Sequence, residues 1–475
     1  MKTAFVSGNF NVLHPGHMRL LRFARDVSDH LIVGVWSDRC AGKDAHVPEN
    51  LRLEGVRSNG WVDEAFLLDE PVETVIDRLR PDIVVKGKEH EKKDNPETTV
   101  LKHYGARLVF SSGGATFSSL DLIRKNINYA DYSSILFPKI FADRHGFSTA
   151  NLLAILSRIK GKKICVIGDL IVDEYVTCVP LGMSQEDPSI VVTPIDRKRF
   201  LGGAGIVAAH AASLGADVNF ISVIGDDDSG EFARGELMEV GVNAVLHKDS
   251  ARPTSLKQRF RAEEKTLLRV NHLYQGSIDQ QLQKVLLGEV SQAMVDSEIL
   301  VFADFNYGCL PQSLVDQIVA IGKETGIFMA ADSQSSSQIG NVARFQGMHL
   351  LTPTEREARI SLRNHEDGLV VVAEELCELA QARHVFLKLG SEGMLLHVAR
   401  RDEKYRTDRI PALNPNPRDV AGAGDSLLVG SILALATGAT PWEAACLGGL
   451  SAAIQVSRVG NTPLTLDELR YELEK

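Results

Sequence analysis

The sequence predicts an α/β protein of two unequal domains, a small parallel-sheet unit followed by a larger one. Three observations predict it. At 475 residues the chain exceeds one ordinary domain. Short apolar, β-rich runs alternate with helical stretches over residues 1–126, the pattern of a parallel sheet covered by helices. The alternation lapses over residues 127–148, where aromatic and polar residues mix, and restarts over residues 149–475. Residues 127–148 are therefore read as the connection between two domains.

The elements follow in order. TAFVSG predicts the first strand, and Pro15 then opens a helix, because its missing N–H would be unpaired in a first turn anyway. LIVGVW, a helix at Val72–Leu79, DIVVKG and RLVFSS complete the first domain. In the second, LLAILSR predicts a short helix and Lys163–Gly168 a strand. VNFISVIG, EILVFADF, IFMAADS, MHLLTP and HVFLKLG predict further strands, with helices between most of them and glycine-rich turns after several. No repeat period or low-complexity tract interrupts the pattern.

Composition narrows the function. A hydrophobic share of 44% and a charged share of 24% are those of a globular protein. A net charge of −10 argues against nucleic acid as partner, since that binding needs surplus Lys and Arg. No apolar run is long enough to span a bilayer, and KTAFVSGNF lacks the features of a signal peptide, so no membrane partner is expected. The six cysteines are scattered without CxxC pairs, which argues against disulfides and structural zinc and favours a reducing, cytoplasmic setting.

The segment GNFNVLHPGHMRLLRFA runs from the first strand through a tight loop into a helix. His14 and His17 lie three residues apart, on one face beside the positive end of the helix dipole, where negative charge is stabilised. In nucleotidyl transfer a phosphate oxygen attacks the α-phosphorus of a nucleoside triphosphate; two imidazoles and backbone N–H groups would stabilise the charge that gathers there. The segment resembles the HxGH nucleotidyltransferase superfamily. PDIVVKGKEHE and GATFSSLDLIRK are similar to its later motifs. The resemblance implies a small Rossmann-like domain with His14 and His17 catalytic. It implies nucleotide binding by Gly8, Asn9, Phe10, Gly16, Lys86, Ser118 and Ser119. Asn11 replaces the family's usual Asp, and Arg52 matches an arginine often found there.

Near the end, NPRDVAGAGDSLLVGSILALATG passes from small residues into an apolar helix. Gly422, Ala423 and Gly424 clear the way for a phosphate to approach backbone N–H groups at a helix start. Asp425 in the first turn can take a proton from a sugar hydroxyl as that oxygen attacks a γ-phosphorus. DVAGAGDS resembles the signature of ribokinase-type sugar kinases, with GDLIVDEY, FLGGAGIVAAHAASLGA, SVIGDDDSGE, LLTPTEREA and KLGSEGM in the expected order. The resemblance implies a ribokinase-like α/β domain with a small β-lid near Tyr175–Ile195, and Asp425 as general base. Gly422, Ala423 and Gly424 would form the anion hole. Thr354, Glu355, Arg356 and Glu357, with Lys388, Gly390 and Gly393, would flank ATP, and Asp173, Gly202 and Gly203 would line the sugar pocket.

ICVIGDLIVDEY, GMSQEDPSIVV and FLGGAG resemble more narrowly the bifunctional heptose 7-phosphate kinase and heptose 1-phosphate adenylyltransferase family of ADP-heptose and lipopolysaccharide synthesis, with the domain order reversed. That resemblance implies sugar phosphates and nucleoside triphosphates as partners, Mg²⁺ with ATP, ATP or CTP at the transferase, and a homodimer formed through the lid. Ile206 stands where a sugar-contacting Asn is expected; Thr354, Ala421 and Asp332-Ser333-Gln334 also depart from the family pattern. The same two chemistries on another sugar or polyol phosphate, or one domain serving as a noncatalytic module, are the alternatives. Retention of His14, His17 and Asp425 together weighs against the last.

Overall fold

The computed structural model describes residues 2–13, 15–42, 45–87, 90, 95–111, 134–262, 265–335, 340–399 and 406–475. The chain divides into two compact units, residues 1–132 and 133–475.

In the first unit, β1 (Thr3–Gly8), β2 (His30–Trp36), β3 (Glu64–Leu68), β4 (Ile83–Gly87) and β5 (Arg107–Ser111) form a sheet in the order β3-β2-β1-β4-β5. Every pairing is parallel. Such strands are buried on both faces and read as continuous apolar runs, as the centre of β2 does. The order reverses between β1 and β4, so a crevice opens at their carboxyl ends, where open α/β sheets bind ligands. The loop after Gly8 and the side chain of Lys86 both belong to that edge.

The second unit holds two sheets. Strands β6 (Lys163–Gly168), β9 (Asp217–Ile224), β10 (Asn243–Lys248), β13 (Ile299–Asp304), β14 (Phe328–Ser333), β15 (Leu350–Leu351), β16 (His384–Lys388), β17 (Met394–Val398) and β18 (Thr407–Ile410) form the larger. Their order is β10-β9-β6-β13-β14-β15-β16-β17-β18, with only the β16–β17 and β17–β18 pairings antiparallel. Successive residues of β6 alternate between two apolar layers, Ile164 and Val166 in one and Cys165 and Ile167 in the other. The smaller sheet has the order β12-β11-β7-β8, from β7 (Leu170–Met183), β8 (Ile190–Gly203), β11 (Ser255–Ala262) and β12 (Lys265–His272).

The two sheets meet at Asp169, the residue between β6 and β7. Its carboxylate accepts the backbone N–H groups of Phe305 at 2.9 Å, Cys309 at 3.0 Å and Tyr307 at 3.2 Å. One buried acid thereby fixes the loop after β13 to the start of the small sheet.

The connection read at residues 127–148 requires correction at its C-terminal end. Lys139–His145 is a helix, and Phe141, Ala142 and Phe147 are buried in the core of the second unit. Its aromatics mark packing surface, and the short helix is too small to show a clear periodicity. The β7–β8 and β11–β12 hairpins also extend well beyond the expected lid segment. The outer part of the β7–β8 hairpin and most of β12 are exposed and β11 is intermediate nearly throughout, so no buried–exposed alternation marks these strands.

Gly168 ends β6 where an added Cβ would overlap the backbone carbonyl of Ala303 on the paired strand β13. With strand backbone on one side and the Ala204 Cβ at 3.0 Å next nearest, no flexible side chain is there to give way. Gly168→Ala is expected to lower stability by about 3 kcal/mol or more, measured by urea unfolding; an unchanged midpoint would contradict the packing described.

Candidate functional site

A cavity of about 800 Å³ in the second unit lies between the small sheet and the helix Ala423–Ala436. Gly422 precedes that helix with φ 74°, a left-handed conformation that L side chains rarely adopt. A Cβ there would also overlap Asn461 Oδ1. The turn therefore brings the first N–H groups of the helix to the cavity wall with little side-chain bulk before them.

Asp425 occupies the first turn of this helix, 6% exposed. Burial, then the nearby carboxylate of Asp332, pushes its carboxyl up to about 7 against the pull of Lys388. Gln334 donates its amide N–H to Asp425 Oδ1 at 3.3 Å. Lys388 contacts both carboxylate oxygens of Asp332, at 2.9 and 3.0 Å, and Asp332 also accepts from Thr352. Burial alone would favour a neutral amine, but the carboxylates of Asp332 and Glu357 outweigh it and hold Lys388 charged.

Thr354 caps the helix Glu355–Leu362, and Glu357 returns its Oε2 to the Thr354 N–H at 2.7 Å, a reciprocal capping box. Glu357 Oε1 accepts the Ser335 N–H at 2.9 Å, which ties the helix start to the segment carrying Gln334. Thr354, Glu357, Lys388, Gly390, Gly393, Gly422, Ala423 and Gly424 all line the cavity, as do Asp173, Gly203 and Asp425.

Four expected positions are corrected. Glu355 and Arg356 are not in the lining: they point off the other side of the helix, Glu355 pairing with Arg359 at 2.8 Å and Arg356 exposed. Gly202 is not in the lining either; it stands where a Cβ would overlap Asp173 Oδ2 and so makes room for that carboxylate. Ile206 is fully buried in the core and away from the cavity wall, so it does not contact a ligand there.

The structure adds residues that the motifs do not reveal. Lys257, Arg259 and Arg269 on β11 and β12 line the cavity, and Arg259 and Arg269 stand directly opposite each other across the two strands. Arg259 approaches Asp173 Oδ1 at 3.5 Å, and Asn461 donates to Asp173 Oδ2 at 3.2 Å. Asn461 Oδ1 is buried without a hydrogen-bond partner among the described residues. Pro411, Leu413, Leu427, Ala452 and Val456 give another part of the wall an apolar character suited to a flat base. The i, i+2 spacing of Lys257 and Arg259 was the available signal, since such residues share one face of a strand.

In the first unit, His14, Ser118 and Ser119 lie outside the described residues. His17 is on the helix Pro15–Asp26, which also includes Gly16. Its Nδ1–H donates to the Val12 carbonyl at 3.1 Å, which holds the ring against the loop that precedes the helix. The Phe10 ring lies beside it at 5.0 Å between centroids, and Phe10 takes φ 48° to turn the chain after Gly8. Asn11 Oδ1 accepts the N–H groups of His46 at 2.9 Å and Val47 at 3.4 Å, a task an amide performs as well as a carboxylate. Arg52 is 2% exposed and donates to Asn9 O, Val47 O and Asp38 Oδ1 at 2.6–2.7 Å. It fixes the loop in which Asn9 presents its backbone. Lys86 pairs with Glu97 at 2.6 Å. Among the described residues no group of three or more His, Cys, Asp or Glu could hold a metal ion, and no helix is long and apolar enough to cross a membrane.

Comparison with known proteins matches residues 161–468 to the pfkB family carbohydrate kinases and residues 5–136 to the cytidylyltransferase-like family, in the order the sequence reading expects. The chain is similar to "Bifunctional protein HldE" of Syntrophotalea carbinolica, 32% identical over 328 residues, or 67% of this chain and 64% of that protein. The chain thus spans less than two thirds of that relative's length. Among solved structures, phosphofructokinase-2 from Escherichia coli aligns with TM-score 0.53 and 17% identity over 66% of this chain and all of its own. Ribokinase from Thermotoga maritima aligns with TM-score 0.51 and 21% identity over 66% and 99%. These likenesses show the fold: a ribokinase-like α/β domain follows a small Rossmann-like nucleotidyltransferase-type domain.

Because the Asp425 carboxyl is raised from the ordinary 3.8 to about 7, its neutral form contributes stability that is fully present below pH 4 and lost as pH rises through 7. Asp425→Asn should abolish that loss and stabilise the protein above pH 7 by on the order of 2 kcal/mol. Denaturant unfolding at pH 5 and pH 8 checks it: a variant less stable than the parent at pH 8 would contradict the raised carboxyl.

Proposed function

The chain belongs to the pfkB family of carbohydrate kinases, and on that footing we propose that it is a bifunctional sugar-activating enzyme of the cytoplasm. Its second unit phosphorylates a sugar phosphate, heptose 7-phosphate at O1, and its first transfers a nucleotide to a sugar 1-phosphate, forming ADP-heptose. A separate phosphatase removes the 7-phosphate between the two steps.

The observation that carries the kinase substrate is the cation cluster of the small sheet. Arg259 and Arg269 face each other across two strands with Lys257 beside them, and like charges so placed repel unless an anion joins them. A phosphate already on the sugar is such an anion, and guanidinium forks suit it. The sugar hydroxyls then fall to Asp173 and to the unpaired Oδ1 of Asn461. Asp425 takes the proton of the attacking hydroxyl, with a basicity near neutral pH that suits a general base. The N–H groups at the Gly422–Gly424 turn and the Lys388 ammonium stabilise the transferring phosphoryl group. Magnesium enters as part of the Mg·ATP substrate.

In the first unit, His14, His17, Gly8, Asn9, Phe10, Gly16, Lys86, Ser118 and Ser119 are proposed to receive the nucleoside triphosphate, ATP or CTP. The loop rigidity that Arg52 and Asn11 supply supports placing backbone donors at that edge. The outer β7–β8 hairpin exposes Val179, Leu181, Met183, Ile190 and Ile195. That apolar arm supports a homodimer in which two hairpins cover one another.

The test follows products by mass spectrometry with heptose 7-phosphate and heptose 1-phosphate supplied separately. Asp425→Asn should cut bisphosphate formation by about 10³-fold and leave ADP-heptose formation intact, and His17→Ala should do the reverse. One substitution removing both activities from folded protein would overturn the two-site reading.

A further inference from the structure

Tyr175 lies on β7 and lines no part of the cavity, yet it joins the sugar side of the site to the nucleotide side. Its hydroxyl donates to Asp419 Oδ2 at 2.6 Å. Burial keeps that phenol protonated and so a donor. Asp419 belongs to the segment that leads into the Gly422–Gly424 turn: Oδ1 accepts the Ala421 N–H at 3.1 Å and Oδ2 the Gly460 N–H at 3.1 Å. Although burial opposes it, these donors hold the Asp419 carboxyl below the usual range. The residue after Gly460 is Asn461, whose amide reaches back to Asp173 and to the Leu201 carbonyl of β8.

Over the Tyr175 ring, 5.3 Å from its centroid, sits the guanidinium of Arg259. That same group approaches Asp173 and lines the cavity. A phosphate drawn to Arg259 therefore acts on a cation resting on Tyr175, and Tyr175 holds the carboxylate that shapes the anion-hole turn. On the strength of this chain of contacts, and resting on the kinase reading above, we infer that Tyr175 is a positioning residue through which sugar-phosphate binding at Arg259 tightens nucleotide binding at Gly422–Gly424. By linkage the effect is reciprocal, so the nucleotide tightens the sugar phosphate by the same factor.

The experiment measures, by calorimetry on the full chain, the dissociation constant of the magnesium complex of a non-hydrolysable ATP imido analogue with and without heptose 7-phosphate. In the parent protein the sugar phosphate should tighten the analogue on the order of tenfold. Tyr175→Phe keeps the ring against Phe200 and beneath Arg259 and deletes only the hydroxyl; it should bring the factor to about one while each ligand alone binds nearly as before. Asp419→Asn should likewise bring the factor to about one, read against that variant's own affinity for each ligand alone, which keeps the inference testable if the Phe variant folds poorly. Coupling that survives both substitutions, or parent protein binding both ligands independently, would overturn it. Parent protein that binds neither ligand would instead overturn the kinase reading itself.

Discussion

A carboxylate must stay usable where water barely reaches it, and the arrangement of the second unit follows from that requirement. Asp425 is withdrawn from solvent at the first turn of an apolar helix, with Asp332 near enough to raise its carboxyl further. Left alone, such a group would remain protonated and could take up no further proton. Lys388, itself kept charged by Asp332 and Glu357, restores part of the balance. The result is an acid poised near neutrality, with Gln334 fixing one oxygen and the helix dipole favouring the anion. Stability is given up at that one residue above neutral pH, which is the condition the proposed general base requires.

The rest of the fold supplies rigidity around that residue. Asp169 binds the start of the small sheet to the loop after β13, and Glu357 binds the Thr354 helix to the segment carrying Gln334. Both use a buried carboxylate to satisfy backbone N–H groups. Arg52 and Asn11 do the corresponding work in the first unit, one as donor to loop carbonyls and the other as acceptor from loop amides. In both units the groups that hold the loops still are buried polar side chains.

Much of this was legible in the sequence, for a physical reason. Parallel strands buried on both faces leave apolar runs such as LIVGVW and ICVIG, and phosphate-binding turns need small residues at fixed places, so GAGD and HxGH stand out. Glu355, Arg356, Gly202 and Ile206 were misplaced because a motif states adjacency in the chain and not which side of a helix or strand a residue faces. Arg259 and Arg269 were missed because they lie on strands of the small sheet far in sequence from the motifs, and Asn461 because it comes from the coil beyond the helix Pro441–Gln455. Arg52 shows the opposite limit: an arginine on a polar-looking helix gives no sign in sequence that three backbone and side-chain acceptors enclose it.

The central claim is that the folded chain itself makes Asp425 a base near neutral pH, before any substrate arrives. The most direct test labels aspartate side-chain carbons with ¹³C and follows the carboxyl resonances with pH, assigning Asp425 as the signal absent from the Asn variant. The account predicts a midpoint of about 7 in the ligand-free protein. Titration at the ordinary carboxylate value near 3.8 would show that burial and Asp332 do not set its basicity, and the account of the site would fail there.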